Sequence, residues 1–366
     1  MNKFNTANGR LFLDIHALQT VPPSNINRDD TGRPKTSEYG GVTRSRVSSQ
    51  AWKKAVRDYF HENSEFNNVG VRTLRVPQYL AAKIQEIDPS IDDDKALEIG
   101  AKASDLIGAK TKKNKDDEPV ASALFFIGEV QAKKVAQAIL DGETDKKVYK
   151  ELINQDHSID LALFGRMVAD DPSTNVDASS QFAHAISTHA VRTEYDFFVA
   201  TDDYRVEDNA GAGMLGNIEF NSSTLYRYAN ANLHELSEQV GVENLVEAIK
   251  LYVKAFILSM PTGKVNTFAN TTLPQAILLV GRHDRPTSLV SAFETPVYSP
   301  EGFIEPSVRA LAKEYNNVQR FLDEPEFALY LSFDDLGIDV EGVVGAERLD
   351  ELLEKLDAEL NDKLSE

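Results

Sequence analysis

The chain has 366 residues, no cysteine, and 58 acidic against 39 basic residues, a formal net charge of −19. That excludes a disulfide framework and a thiolate metal site. It also argues against a freely diffusing, nonspecific nucleic-acid binder, although binding depends on the local field rather than the total charge. No apolar run approaches the roughly 18–20 residues of a membrane span. The N-terminus, MNKFNTANGR, lacks the apolar segment of a signal peptide, so the cytoplasm is the expected location and no membrane partner is expected. The length suits one to three domains.

In chain order, RLFLDIHAL (Arg10–Leu18) alternates and predicts a buried first strand. A long loop rich in Pro, Gly, Asn and Asp is expected next, and long loops are often functional. VTRSRV alternates as a short strand or extended arm, and Ser48 or Ser49 is placed to cap a helix. In that helix Trp52, Ala55, Val56, Tyr59 and Phe60 share one face, and Gln50, Lys53, Lys54 and Arg57 form a polar, basic stripe on the other. From Arg28 to Arg57 there are eight Lys/Arg against three acids, a net of +5.

Residues 61–175 read as helices joined by polar loops, including an amphipathic helix over Ala123–Gly142, a charged loop over Lys110–Pro119, and lysines 146, 147 and 150 at helical spacing. Beyond Asp160 the pattern turns strand-like. STLYRYANA alternates, AILLVG (Ala276–Gly281) reads as a buried strand, and Val242–Met260 reads as an amphipathic helix. The last helix carries a leucine stripe, and from Glu347 to Glu366 eight acids stand against three bases. Strands interrupted by a helical block of roughly a hundred residues define an α+β core with a large helical insertion.

The basic stripe reads either as a solvated helix face or as a phosphate-binding surface. The Arg-rich strand before it (Arg44, Arg46), Arg28 of the NRDD loop, and helix N–H donors at Ser48 and Ser49 favour the second. His184 and His189 lie five residues apart, which suits neither one helix face nor one side of a strand. They read as core or hydrogen-bonding residues, with RNA cleavage as the alternative. NAGAGMLG (Asn209–Gly216) lacks the Lys-Ser/Thr of a phosphate loop and reads as a hairpin tip. Phe197, Phe198, Met214 and Leu215 beside it are either core or wedges and stacking surfaces for bases or a neighbouring protein. No metal or cofactor is expected.

NRDD (Asn27–Asp30), RVSSQAWKKAVR (Arg46–Arg57), ALFGRM (Ala162–Met167), FAHAISTHAV (Phe182–Val191), GAGMLGNIEFNSSTLYRYANANL (Gly211–Leu233), SAFE (Ser291–Glu294) and the following PSVRAL region together resemble the CasC family, in the same order over most of the chain. CasC is the repeated backbone subunit of the type I-E CRISPR surveillance complex, Cascade. The resemblance implies an RRM-like (ferredoxin-like) palm over residues 1–60, 183–193 and 224–345. It further implies a helical fingers insertion over 61–182 and a thumb hairpin over 194–223, with an acidic C-terminal helix over 346–366. It implies a non-catalytic scaffold that stacks along CRISPR RNA with other Cascade subunits and presents the guide to target DNA. Arg28, Gln50, Lys53 and Arg57 match its RNA-gripping positions. Met167, Phe198, Val199 and Leu215 match apolar positions near a displaced nucleotide, and Lys146, Lys147 and Lys150 resemble a DNA-facing cluster. The rival readings are an RNA-processing endonuclease using His184 or His189, and a protein-only assembly module.

Overall fold

A computed structural model describes residues 9–63, 68–168, 171–200, 214–332 and 342–365. The first half runs β1 (Phe12–Ser24), β2 (Thr36–Tyr39), β3 (Val42–Val47), α1 (Ser49–Asn63), β4 (Gly70–Thr73), α2 (Val76–Ile87), α3 (Asp93–Leu106), β5 (Thr111–Lys113), β6 (Pro119–Ala121), β7 (Phe125–Gly128), α4 (Glu129–Leu140), α5 (Lys146–Ile153) and α6 (Ile159–Phe164). The second runs β8 (Ser180–Phe182), β9 (Ala185–Ser187), β10 (Glu194–Ala200), β11 (Met214–Asn232), α7 (Leu233–Val240), α8 (Val242–Leu258), α9 (Val265–Phe268), β12 (Ala276–Arg282), α10 (Ile304–Val318), β13 (Phe327–Ser332), β14 (Val344–Ala346) and α11 (Leu349–Ser365). The expected α+β class is the one found.

Two compact units divide the described residues. Arg57–Gln181 with Ala231–Leu251 form a mainly helical unit, and the remaining described residues form a sheet-based unit, so α1 starts in the second and ends in the first. In the sheet-based unit the strand order is β14-β13-β12-β1-β11-β9-β3-β2, and β10 pairs with β11 off this path. The pairs β1–β12, β12–β13, β2–β3, β3–β9, β9–β11 and β10–β11 are antiparallel, and β13–β14 is parallel.

The sheet is covered on both faces. On one, Tyr226, Tyr228, Leu278 and Val280 pack under α10 through Val308 and Leu311. On the other, Leu225 and Ala185 pack with Trp52 of α1. The period of two sends neighbouring β11 residues to opposite faces. The β2–β3 connection is Gly40–Gly41, with φ +61° and +75°, the conformation a two-residue hairpin needs. A Cβ on Gly40 would meet the Glu294 carbonyl oxygen at 1.7 Å.

The helical unit has its own core, in which Val76, Leu80, Ala103, Val135, Tyr149 and Ile153 surround Ile127 of β7.

Three elements differ from the sequence expectation. β1 continues past Leu18 through Pro22 and Pro23 to Ser24, so the loop is shorter than read. The β12 partner ends at Leu18, which leaves one side of β1 where missing N–H donors cost little. The expected helix over Ala123–Gly142 begins only at Glu129, because Phe125–Gly128 pairs with β4. Part of the expected charged loop is the β5–β6 hairpin. The Gly-rich stretch before Met214 lies outside the described residues, as does the Met214 side chain.

Candidate nucleic-acid interface

The loop from Asn25 to Lys35 and the start of α1 are tied together by one residue. Asn27 accepts the Ser48 N–H through its side chain (2.8 Å) and the Lys35 N–H through its carbonyl (2.8 Å). The Lys35 carbonyl in turn accepts the Arg46 N–H (2.9 Å). Asp29 folds the loop tip by accepting from the N–H groups of Thr31 and Arg33. Those bonds hold its carboxyl below the ordinary range, with the Thr31 hydroxyl the largest cause. Arg28 is exposed beside it.

Ser48 precedes the helix, and its hydroxyl accepts from Ala51 N–H (3.3 Å). Ser49 N–H donates to His184 Nδ1 (2.9 Å). Gln50 and Lys54 are exposed, and Arg46 is half-buried with its Nε on the Thr36 carbonyl (3.3 Å). The phasing of α1 holds: Trp52, Ala55, Val56 and Phe60 are buried, while Tyr59 is only half so. Trp52 is fixed from behind by Arg227, whose guanidinium lies 3.6 Å from the indole centroid and donates to Gln19 Oε1 (2.6 Å). Burial pulls that guanidinium down to about 9.

Several residues read as RNA-gripping are placed otherwise. Arg44 is wholly buried and donates to the carbonyls of Tyr39, Ser187 and Phe293, so it ties strands rather than meeting phosphate. Ser48 is buried as the helix cap. Arg57 pairs with buried Asp160 (3.3 Å) and lies over the Phe126 ring (4.5 Å). Lys53 is half-buried, and desolvation holds its ammonium below the ordinary lysine range. Of the two lysines, Lys54 is the exposed one.

The β10–β11 hairpin pairs Tyr195 with Glu219, Phe197 with Asn217 and Val199 with Leu215. Directly opposed residues share a face, so Tyr195, Phe197, Val199 and Leu215 form one apolar face. They are 68%, 63%, 48% and 61% exposed, a continuous patch of a kind that marks interaction surfaces. Phe198 points to the other face and is half-buried, because its ring lies across Gly216. A Cβ there would meet Phe198 at 2.4 Å. Tyr195 was missed in the sequence, although it continues the alternation of Phe197 and Val199.

In the helical unit, Met167 is 84% exposed. Its neighbour Arg166 is buried and donates to the carbonyls of Thr174 (2.7 Å), Phe126 (3.1 Å) and Ile153 (3.0 Å), which fixes the turn that presents Met167. Lys146 and Lys147 are exposed in the first turn of α5. Lys150 is not part of an open cluster, since it pairs with Asp171 (2.9 Å) and Ser173 Oγ (2.8 Å).

His189 is buried. Its Nδ1–H donates to the Ala190 carbonyl (2.9 Å), its Nε2 accepts from Thr224 N–H (3.1 Å), and its ring stacks on Phe303 at 3.6 Å, which uses both nitrogens structurally. His184 is exposed, and the charges that act on it are those of Arg46 and Lys35. Among the described residues no group of three or more His, Asp or Glu side chains could hold a metal ion, and no helix is long and apolar enough to cross a membrane.

A sheet-based unit with a basic helix start and an exposed apolar hairpin, in a chain that also carries a mainly helical unit, is an architecture shared with chains of known complexes. A chain of a CRISPR RNA-guided surveillance complex, pre-nicking, is 32% identical, with a TM-score of 0.82 over 95% of this chain and 99% of that one. A chain of a second CRISPR RNA-guided surveillance complex is 29% identical, with a TM-score of 0.62 over the same shares. The chain belongs to the CT1975-like protein family, whose model matches residues 13–355. No curated protein matches it.

Proposed function

We propose that this chain is the repeated backbone subunit of a type I-E CRISPR surveillance complex, Cascade, in the CasC family. It is a non-catalytic scaffold that oligomerises along CRISPR RNA in the cytoplasm, with other Cascade subunits, and holds the guide for pairing with target DNA. The observation that carries this reading is the grouping of exposed or half-exposed Arg28, Lys35, Arg46, Ser49, Gln50 and Lys54 around one helix start. That is a local basic surface in an acidic chain, the electrostatic footprint of a phosphate backbone.

In this reading the sheet-based unit supplies an RRM-like palm, the β10–β11 hairpin the thumb, and the helical unit the fingers. The apolar face of Tyr195, Phe197, Val199 and Leu215 acts on a displaced nucleotide, and exposed Met167 of the helical unit serves the same kind of contact. Lys146 and Lys147 face DNA. The similarity to chains of RNA-guided surveillance complexes supports the reading.

Co-expression with partner subunits and a CRISPR transcript tests it. The purified assembly should carry RNA of defined length, protected from ribonuclease at regular intervals. An assembly that survives nuclease and carries no RNA would favour a protein-only module. Cleavage of a repeat-containing transcript that His184→Ala abolishes would favour an endonuclease.

A further inference from the structure

A shallow cleft that opens to solvent lies in the sheet-based unit beside the start of α1, lined by Asn27, Lys35, Ser45, Arg46, Asn221 and Ser223 among others. Two cations sit on it, and neither Lys35 nor Arg46 has a carboxylate partner among the described residues. Asn221 is 5% exposed, accepts from Ser45 Oγ (3.2 Å) through its Oδ1, and leaves its Nδ2 with no hydrogen-bond partner among the described residues. A buried donor without an acceptor is costly unless something supplies one. Positive charge and a spare donor both call for an anion.

His184 lies outside that lining but within the field of the same two cations. Its Nδ1 accepts the first N–H of α1, from Ser49, so the neutral ring carries its proton on Nε2. Protonation would place a hydrogen on Nδ1 and break that bond, turning one acceptor into two donors, the imidazolium N–H and the released Ser49 N–H. Burial first, then Arg46 of β3 and Lys35 of the loop entering β2, hold the ring below the ordinary histidine range. An anion between these groups reverses that repulsion.

We propose that Lys35, Arg46, Asn221 and His184 form a phosphodiester seat, in which His184 releases the Ser49 N–H to the phosphate as it takes up one proton from solvent. The proposal rests on the reading of the chain as an RNA binder and names the groups that seat one backbone phosphate. His184 thereby has a role in binding rather than in cleavage.

The test follows the His184 imidazole resonance in the full chain by NMR, assigned by its loss in His184→Asn, across about pH 5 to 8. Inorganic phosphate, and separately a single-stranded RNA, should each raise its titration midpoint, and RNA should bind more tightly as the pH falls. His184→Asn keeps an acceptor for Ser49 but cannot titrate, so its RNA affinity should lose that pH dependence. A midpoint unmoved by either ligand overturns the seat. RNA binding that leaves His184 unmoved also overturns it while the RNA reading stands. A midpoint that responds to phosphate with no RNA binding keeps the seat and removes the RNA reading.

Discussion

Arg44, Lys54 and Arg57 carry the same charge in one stretch, and their neighbours give them different work. Arg44 ends on carbonyls and Arg57 on a buried carboxylate, while Lys54 is exposed. Helical phasing separated the inward and outward faces of α1, but it could not reveal Asp160, which lies 103 residues away. Arg44 and Arg46 alternate on the same side of one strand, and what covers each is decided by segments far along the chain. Arg57→Glu would set a second carboxylate beside Asp160 and should destabilise the fold by about 3–5 kcal/mol, read by denaturant unfolding. Lys54→Glu, at an exposed position, should weaken RNA binding and cost less stability than Arg57→Glu.

A second residue-scale consequence concerns Asp14, which is 1% exposed and accepts from Tyr228 OH (2.7 Å) and Thr287 N–H (3.0 Å). Burial pushes its carboxyl up to about 7, against an ordinary 3.8. Between those values the folded chain binds more protons than the unfolded one, so this group's contribution to stability falls as the pH rises through that window. Asp14→Asn should flatten that part of the stability profile, and an unchanged profile from unfolding at stepped pH would refute it.

At the scale of elements, periodicity was most informative where one face meets core and the other solvent. The leucine stripe of α11 is buried at Leu352, Leu353, Leu356 and Leu360. The alternation of β11 sends Leu225 and Tyr226 to opposite layers. It failed at Phe125–Gly128, where a short apolar run buried on all sides reads equally as strand or helix. The hairpin of β10 and β11 has its own internal lock, Phe198 over Gly216. Gly216→Val should displace that ring and loosen the hairpin. Proteolysis should then cut faster there with little change in the global melting temperature, whereas wild-type cleavage rates would remove Phe198 from that role.

Across the whole molecule, charge is sorted rather than averaged. The net of −19 coexists with a +5 segment of which Arg28, Lys35, Arg46 and Lys54 stay exposed or half-exposed, while Arg44 turns inward and Arg57 pairs with Asp160. The acids of the last helix lie outside its buried leucines, and Lys363 joins that helix to Glu326 (3.1 Å). Composition showed this segregation. It did not show which cations fold inward, because that depends on partners brought together by tertiary structure. An RNA scaffold of this kind predicts binding that weakens steeply with salt. Purified protein with its partner subunits, titrated with CRISPR RNA across a salt series, measures this most directly. Lys35→Glu with Lys54→Glu should lower both the affinity and the salt slope, the slope by about 0.7 for each phosphate no longer neutralised, in a chain that still unfolds cooperatively. Equal affinity and equal slope in the wild type and the double variant would contradict RNA binding at this surface.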